Sequence, residues 1–248
     1  MKKFFLFSFL ITISFIANAG LLEISMDERI VPNSSGEVEL CWFTTKNSTT
    51  RPLQMKMENF VHEQIMDRAG LKVSFVGLCL EHTNPMSPIG IGFYDAADNT
   101  EGIQNTIQGL VPLEDPGHPS TYHQGRYTQN NLVEVVLSSR LQRVRPSLIK
   151  QADPLSERGL ESLFLSIALH EVLHAIGISH EHNRPDSTCL FEKDKTYSPF
   201  SNTLVGDYDD LSIMNPCYTR MYDFENTGPI ALSAGDIQTL QALYFYSF

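Results

Sequence analysis

Residues 170–180 read His-Glu-Val-Leu-His-Ala-Ile-Gly-Ile-Ser-His, and they close a largely apolar stretch that begins near residue 160. A helix over 160–176 is apolar on most sides, so it has to be buried on most sides. Imidazoles and a carboxylate inside such a helix need partners, because unpaired polar groups in a core are costly. The spacing points to the partner. His170 and His174 lie four residues apart, one turn above the other on a single helical face. Neutral imidazoles from adjacent turns reach one Zn²⁺ at about 2.0–2.1 Å. Glu171 is offset around the helix, placed to meet a water at the metal without becoming a ligand. Gly177 stands where the chain has to leave the helix, and glycine takes positive φ there without a Cβ penalty. The chain then turns back and offers His180. Three protein ligands leave one tetrahedral position open, the pattern of a catalytic rather than a structural zinc site, with one ion per chain. A short match of this kind has a plain rival, a core helix with two satisfied histidines. Gly177 and His180 at these offsets make that rival remote.

The rest of the chain sets the frame around that helix. Lys2 and Lys3, an apolar run over residues 4–16 and the small-x-small end Ala17-Asn18-Ala19 have the layout of an export signal, with Gly20 first after cleavage. A retained membrane anchor is the alternative. The expected division is a signal (1–19), a polar leader (20–36) and one domain (37–248), secreted or periplasmic and monomeric. Net charge is −11, and −13 once Lys2 and Lys3 leave, which opposes nucleic-acid binding because that relies on basic surface. Past the signal only the histidine helix approaches a membrane span, and it carries charge, so no membrane association is expected after cleavage.

Along the domain, residues 38–43 read as a strand. Residues 53–69 have helical spacing, with Leu53, Met57, Phe60, Val61, Ile65 and Met66 in one stripe closed by Gly70. Residues 71–78, 88–94 and 132–137 read as further strands, and Asp153-Pro154 as the N-cap and first turn of the histidine helix. Strand, helix, three strands, helix predicts a mixed sheet backed by two helices. Residues 95–125 form a long irregular segment rich in Gly, Pro, Asn and Asp. Its His118 and His123, and the pair Asp95 and Asp98, are weak second-site candidates, with ordinary surface side chains the better reading. His182 is taken as a residue of the cleft rim.

The pattern His-Glu-x-x-His-x-x-Gly-x-x-His resembles that of the metzincin zinc peptidases. Its continuation, Glu181-His182-Asn183-Arg184-Pro185-Asp186, looks like the astacin branch, and Tyr208-Asp209-Asp210-Leu211-Ser212-Ile213-Met214 matches the astacin form of the methionine turn. Beyond Met214 the likeness shifts. Astacins carry a tyrosine two residues after the methionine, where this chain has Pro216; Met214-Asn215-Pro216-Cys217-Tyr218 resembles the matrixin turn instead. Residues 232–244 look like the last matrixin helix, whereas the 33 residues between His180 and Met214 exceed the matrixin gap. The resemblance is therefore to the superfamily, with mixed branch features.

It implies an α/β (α+β) fold: a mixed, mostly parallel twisted sheet backed by two long helices, with a C-terminal subdomain after the third histidine. It implies Zn²⁺ as cofactor, and an antiparallel edge strand within 95–125 along which a protein or peptide substrate lies as an added strand. It makes Met214 a structural floor beneath the ligands. Tyr218 is either a stabiliser of the transition state or a packing residue under the site, and its offset favours packing. Glu181 matches the astacin glutamate that pairs with the mature N-terminal amine, and Arg184 and Asp186 order the loop after His180.

Cys41, Cys79, Cys189 and Cys217 make an even count in an exported chain, which points to two disulfides with three possible pairings. The favoured one joins Cys41 to Cys79, between the first strand and the end of the next, and Cys189 to Cys217, pinning the loop after the histidine helix to the methionine turn. A cysteine ligand is the rival, but three histidines already complete a set.

The chemistry expected is that of a secreted zinc endopeptidase. Zn²⁺ lowers the pKa of bound water to about 7. Glu171 takes the proton and passes it to the leaving amine, while the cation supports the oxyanion. One alternative is a catalytically inactive binding or adhesion module that kept the fold; the intact Glu171 stands against it. The other is a zinc hydrolase of a non-protein substrate, since metal, water and carboxylate are chemically general.

Overall fold

The structure is a computed structural model and describes residues 20–22, 36–42, 51–78, 89–94, 133–138, 155–190 and 203–245. The signal, most of the leader, Cys79, Asp153-Pro154 and residues 95–125, with the expected edge strand, His118, His123, Asp95 and Asp98, lie outside them. The elements are β1 (Gly20–Leu22), β2 (Val38–Trp42), α1 (Arg51–Val61) running on as a π-helical segment (His62–Arg68), β3 (Val73–Leu78), β4 (Ile89–Tyr94), β5 (Val133–Ser138), α2 (Glu157–Ile176), β6 (Thr203–Val205), α3 (Pro216–Met221), α4 (Phe224–Thr227) and α5 (Ala234–Tyr244).

Four strands form one sheet in the order β3-β2-β4-β5, and every pairing in it is parallel. A parallel sheet is covered on both faces, so its strands read as apolar runs rather than alternations. The strand β2 fits this: Val38, Leu40, Cys41 and Trp42 are all buried. Trp42 stacks on Phe75 of β3 at 5.9 Å and donates its Nε1 to Glu58 on α1 at 2.8 Å. The helices α1 and α2 pack against one another, with Lys56 and Glu161 paired across them. The separate pair β1–β6 is antiparallel and brings Gly20 opposite Val205.

Two expectations shift in detail. The 53–69 stripe holds at Met57, Phe60, Val61 and Ile65, but Met66 is exposed. The i→i+5 bonding of the π segment widens the turn and moves the phase of the stripe, so Gln64 and Ile65 face inward. The N-cap of α2 is Ser156, whose side chain accepts from the Gly159 N–H. Glu225 of α4 in turn accepts from the Ser156 N–H at 3.0 Å and hydroxyl at 2.5 Å. Among the described helices only α2 is long and apolar enough to cross a membrane, and it is mostly buried in the core.

Gln54, on the buried face of α1, has neither amide atom hydrogen-bonded. An unpaired buried polar group costs about 1–3 kcal/mol. Replacing it with an apolar residue of similar length removes that cost. Gln54→Met is therefore expected to raise stability by about 1 kcal/mol, measured as a shift of the denaturation midpoint. An unchanged or lowered midpoint contradicts the assignment.

Candidate metal centre

The site is built from the end of α2 outward. Gly177 caps the helix at φ 110°, in the left-handed region, and its N–H donates to the Leu173 and His174 carbonyls. That turn sends Ile178 and Ser179 back under the helix end and delivers His180 beside His170 and His174. The Nε2 atoms of His170 and His180 lie 3.1 Å apart, as do those of His174 and His180. Corners of a tetrahedron at about 2.0–2.1 Å from its centre are roughly 3.3–3.4 Å apart, so these two edges have the length of zinc-ligand separations, and all three histidines offer ligand atoms within 4.8 Å of one another. Among the described residues it is the cluster of three or more side chains able to hold a metal ion.

The far sides of the rings fix the protonation pattern. His170 Nδ1 donates to the Ile213 carbonyl at 3.0 Å, and His174 Nδ1 donates to the Ile178 carbonyl at 2.7 Å. With the proton held at Nδ1, each neutral ring turns an Nε2 lone pair inward. Two lone pairs thus converge on a third imidazole at hydrogen-bond range. A cation at the centre would be met by these lone pairs, and the donor set of three imidazoles suits zinc.

Glu171 is buried on the same helix, and burial pushes its carboxyl up to about 8 against the opposing pull of His180. The methionine turn lies across from α2. Ile213 and Met214 are fully buried, the Ile213 carbonyl receives His170, and the Met214 carbonyl accepts the Glu181 N–H at 2.9 Å. The turn therefore touches the first histidine and the residue after the third. Glu181 is buried and shares Arg184 at 3.3 Å and the Asp209 N–H at 2.9 Å. Burial pushes its carboxyl up, while these partners pull it down. Arg184 also grips Asp186 with two bonds of 2.9 Å and the Gly206 carbonyl at 2.9 Å, which orders the loop as expected.

Cys189 and Cys217 are bridged across a separation of 28 residues, the expected pairing; Cys41 is also disulfide-bonded. In the chain-entropy picture a loop of this size contributes about 3–4 kcal/mol. Tyr218, one residue on, packs edge-to-face on Tyr222 at 5.5 Å and joins the core margin. His182 is a correction: it is buried against the His180 ring at 5.2 Å, not on a rim, because the 3₁₀ turn over Glu181–Asn183 folds it inward. The sequence reading missed the Ile178 and Ile213 carbonyls, since no side chain encodes them.

No protein-family model and no curated protein sequence matches the chain. Solved structures do. Myroilysin is similar at 17% identity with a TM-score of 0.50, over 92% of this chain and 100% of that one. High choriolytic enzyme 1, a hatching enzyme zinc-protease of the medaka fish Oryzias latipes, is 16% identical with a TM-score of 0.41, over 89% and 96%. The GM1-bound form of the ECX AB5 holotoxin is 13% identical with a TM-score of 0.46, over 91% and 88%. The likeness to myroilysin is one of fold, and it agrees with the parallel sheet and the two helices described above. The chain thus has the mixed α/β fold of myroilysin.

Proposed function

We propose that this protein is a secreted zinc-dependent endopeptidase in which His170, His174 and His180 hold the ion and Glu171 is the general base. One observation carries the proposal: two imidazoles with their protons committed at Nδ1 each aim Nε2 at a third, 3.1 Å away. When bound, zinc supplies a Lewis acid that acidifies water and polarises a carbonyl.

The protein's own groups do the rest. The Ile213 and Ile178 carbonyls keep two rings in the ligating tautomer. Glu171, buried on the ligand helix and ionised when a cation is held beside it, accepts a proton from the attacking water and returns it to the leaving amine. Met214 and the Cys189–Cys217 bridge hold the floor and the following loop. Tyr218 serves as packing. The substrate is a protein or peptide lying extended along the sheet margin. In this proposal residues 1–19 are an export signal, 20–36 a leader and 37–248 the catalytic domain, acting as a monomer.

The test is digestion of casein or gelatin by purified protein. Cleavage is expected, lost on chelation and restored by zinc. Cleavage that persists after the metal is stripped contradicts the proposal, and so does zinc-dependent hydrolysis confined to non-protein esters or phosphates.

A further inference from the structure

The carboxylate of Asp236, on the first turn of α5, lies far along the chain from the histidines, yet a continuous run of hydrogen bonds joins them. His170 Nδ1 donates to the Ile213 carbonyl at 3.0 Å. The N–H of that same peptide unit, Met214 N, donates to Ser212 Oγ at 3.0 Å. The Ser212 hydroxyl then donates to Asp236 Oδ1 at 2.6 Å. A second arm steadies the carbonyl's residue, with the Ile213 N–H donating to Asp236 Oδ2 at 3.1 Å. Ser212, Ile213, Met214 and Asp236 are all buried, so water does not compete along this path.

The capping box asks only one bond of the Asp236 carboxylate, from the Ser233 N–H at 2.9 Å. The two bonds toward the methionine turn are additional, and they give a buried carboxylate its other partners. Zinc-binding histidines are commonly oriented by a carboxylate or carbonyl on the distal nitrogen. Here a carbonyl takes that place, with a carboxylate behind it. Hydrogen bonds in series polarise one another, so negative charge at the end of the run strengthens the Ile213 carbonyl as an acceptor and enriches His170 Nε2 as a donor to a metal.

We propose that Ser212 and Asp236 are positioning residues for His170, acting through the Ile213–Met214 peptide. The proposal rests on the zinc reading above. His174 supplies an internal control, because its Nδ1 is held by Ile178 from its own loop.

The experiment compares Ser212→Ala and Asp236→Asn with the wild type. Zinc affinity is read by chelator competition, and imidazole ¹⁵N shifts of His170 and His174 are read in the metal-free protein. Ser212→Ala, a small change at a site that packs no bulk, is the deciding variant. It is expected to weaken zinc about 10- to 100-fold and to shift the His170 nitrogens away from the Nδ1–H form, leaving His174 unmoved. Asp236→Asn, where it folds, is expected to act in the same direction. Unchanged His170 signals in Ser212→Ala overturn the proposal. So do equal shifts at both rings, which mark a general loss of structure. If wild-type protein takes up no zinc, the metal reading fails by itself, and the ring signals still judge the relay.

Discussion

Replacing Glu171 with Gln is expected to leave zinc content and fold intact and to lower peptide-bond hydrolysis by about 10²–10⁴-fold, the usual contribution of a positioned general base. The side chain is buried beside the first histidine, so shape is what the fold requires of it, and Gln keeps that shape. What the amide loses is the capacity to take a proton. Burial already disfavours the charged carboxylate, pushing its carboxyl up to about 8, so removing the charge costs the fold nothing on that account. A cation held at the three imidazoles would favour the ionised form and lower this carboxyl from about 8 toward neutral pH, where exchange with water and amine is best matched. The measurement is kcat on a peptide substrate with metal content and melting temperature determined on the same sample. A variant with full zinc that cleaves at the wild-type rate removes Glu171 from the mechanism.

The second large effect is at the metal. His174→Ala is expected to abolish stoichiometric zinc and to reduce activity to background. Alanine is the best helix former, so α2 itself is not threatened. Two losses follow from the geometry. The inward Nε2 disappears from the triangle, and the Ile178 carbonyl loses the donor that holds it at 2.7 Å. The wild type should also melt higher with zinc than without, since a ligand bound only by the folded state stabilises it by mass action. The variant should lose that difference. Stoichiometric zinc in His174→Ala, with an undiminished melting shift, contradicts the ligand set.

The sequence told more about the site than about its surroundings. The cluster of three histidines was legible because two of them sit one helical turn apart and a left-handed cap at residue 177, which favours glycine, returns the third to them. Of the two expected cysteine pairs, Cys189–Cys217 is the one seen among the described residues, where it ties the loop after the histidines to the methionine turn. Parallel strands were found to within one or two residues, since buried strands leave apolar runs. What stayed hidden had no side-chain code. The Ile178 and Ile213 carbonyls are backbone atoms. The π segment after Val61 changes the phase of a stripe without changing its composition, which is why Met66 was misplaced. Ser156 replaced Asp153-Pro154 as the cap of α2 because its hydroxyl is clamped by Glu225, a partner 69 residues away that no local rule contains. Asp236 was readable as a helix cap, but its bonds to Ser212 and Ile213 exist only once α5 is folded against the methionine turn.

Anomalous diffraction at the zinc edge, on crystals of protein purified with zinc and never exposed to chelator, tests the central claim most directly. One peak per chain is expected, at about 2.0–2.1 Å from the Nε2 atoms of His170, His174 and His180. Zinc-replete crystals with no peak there, and those three rings turned away from a common centre, contradict it.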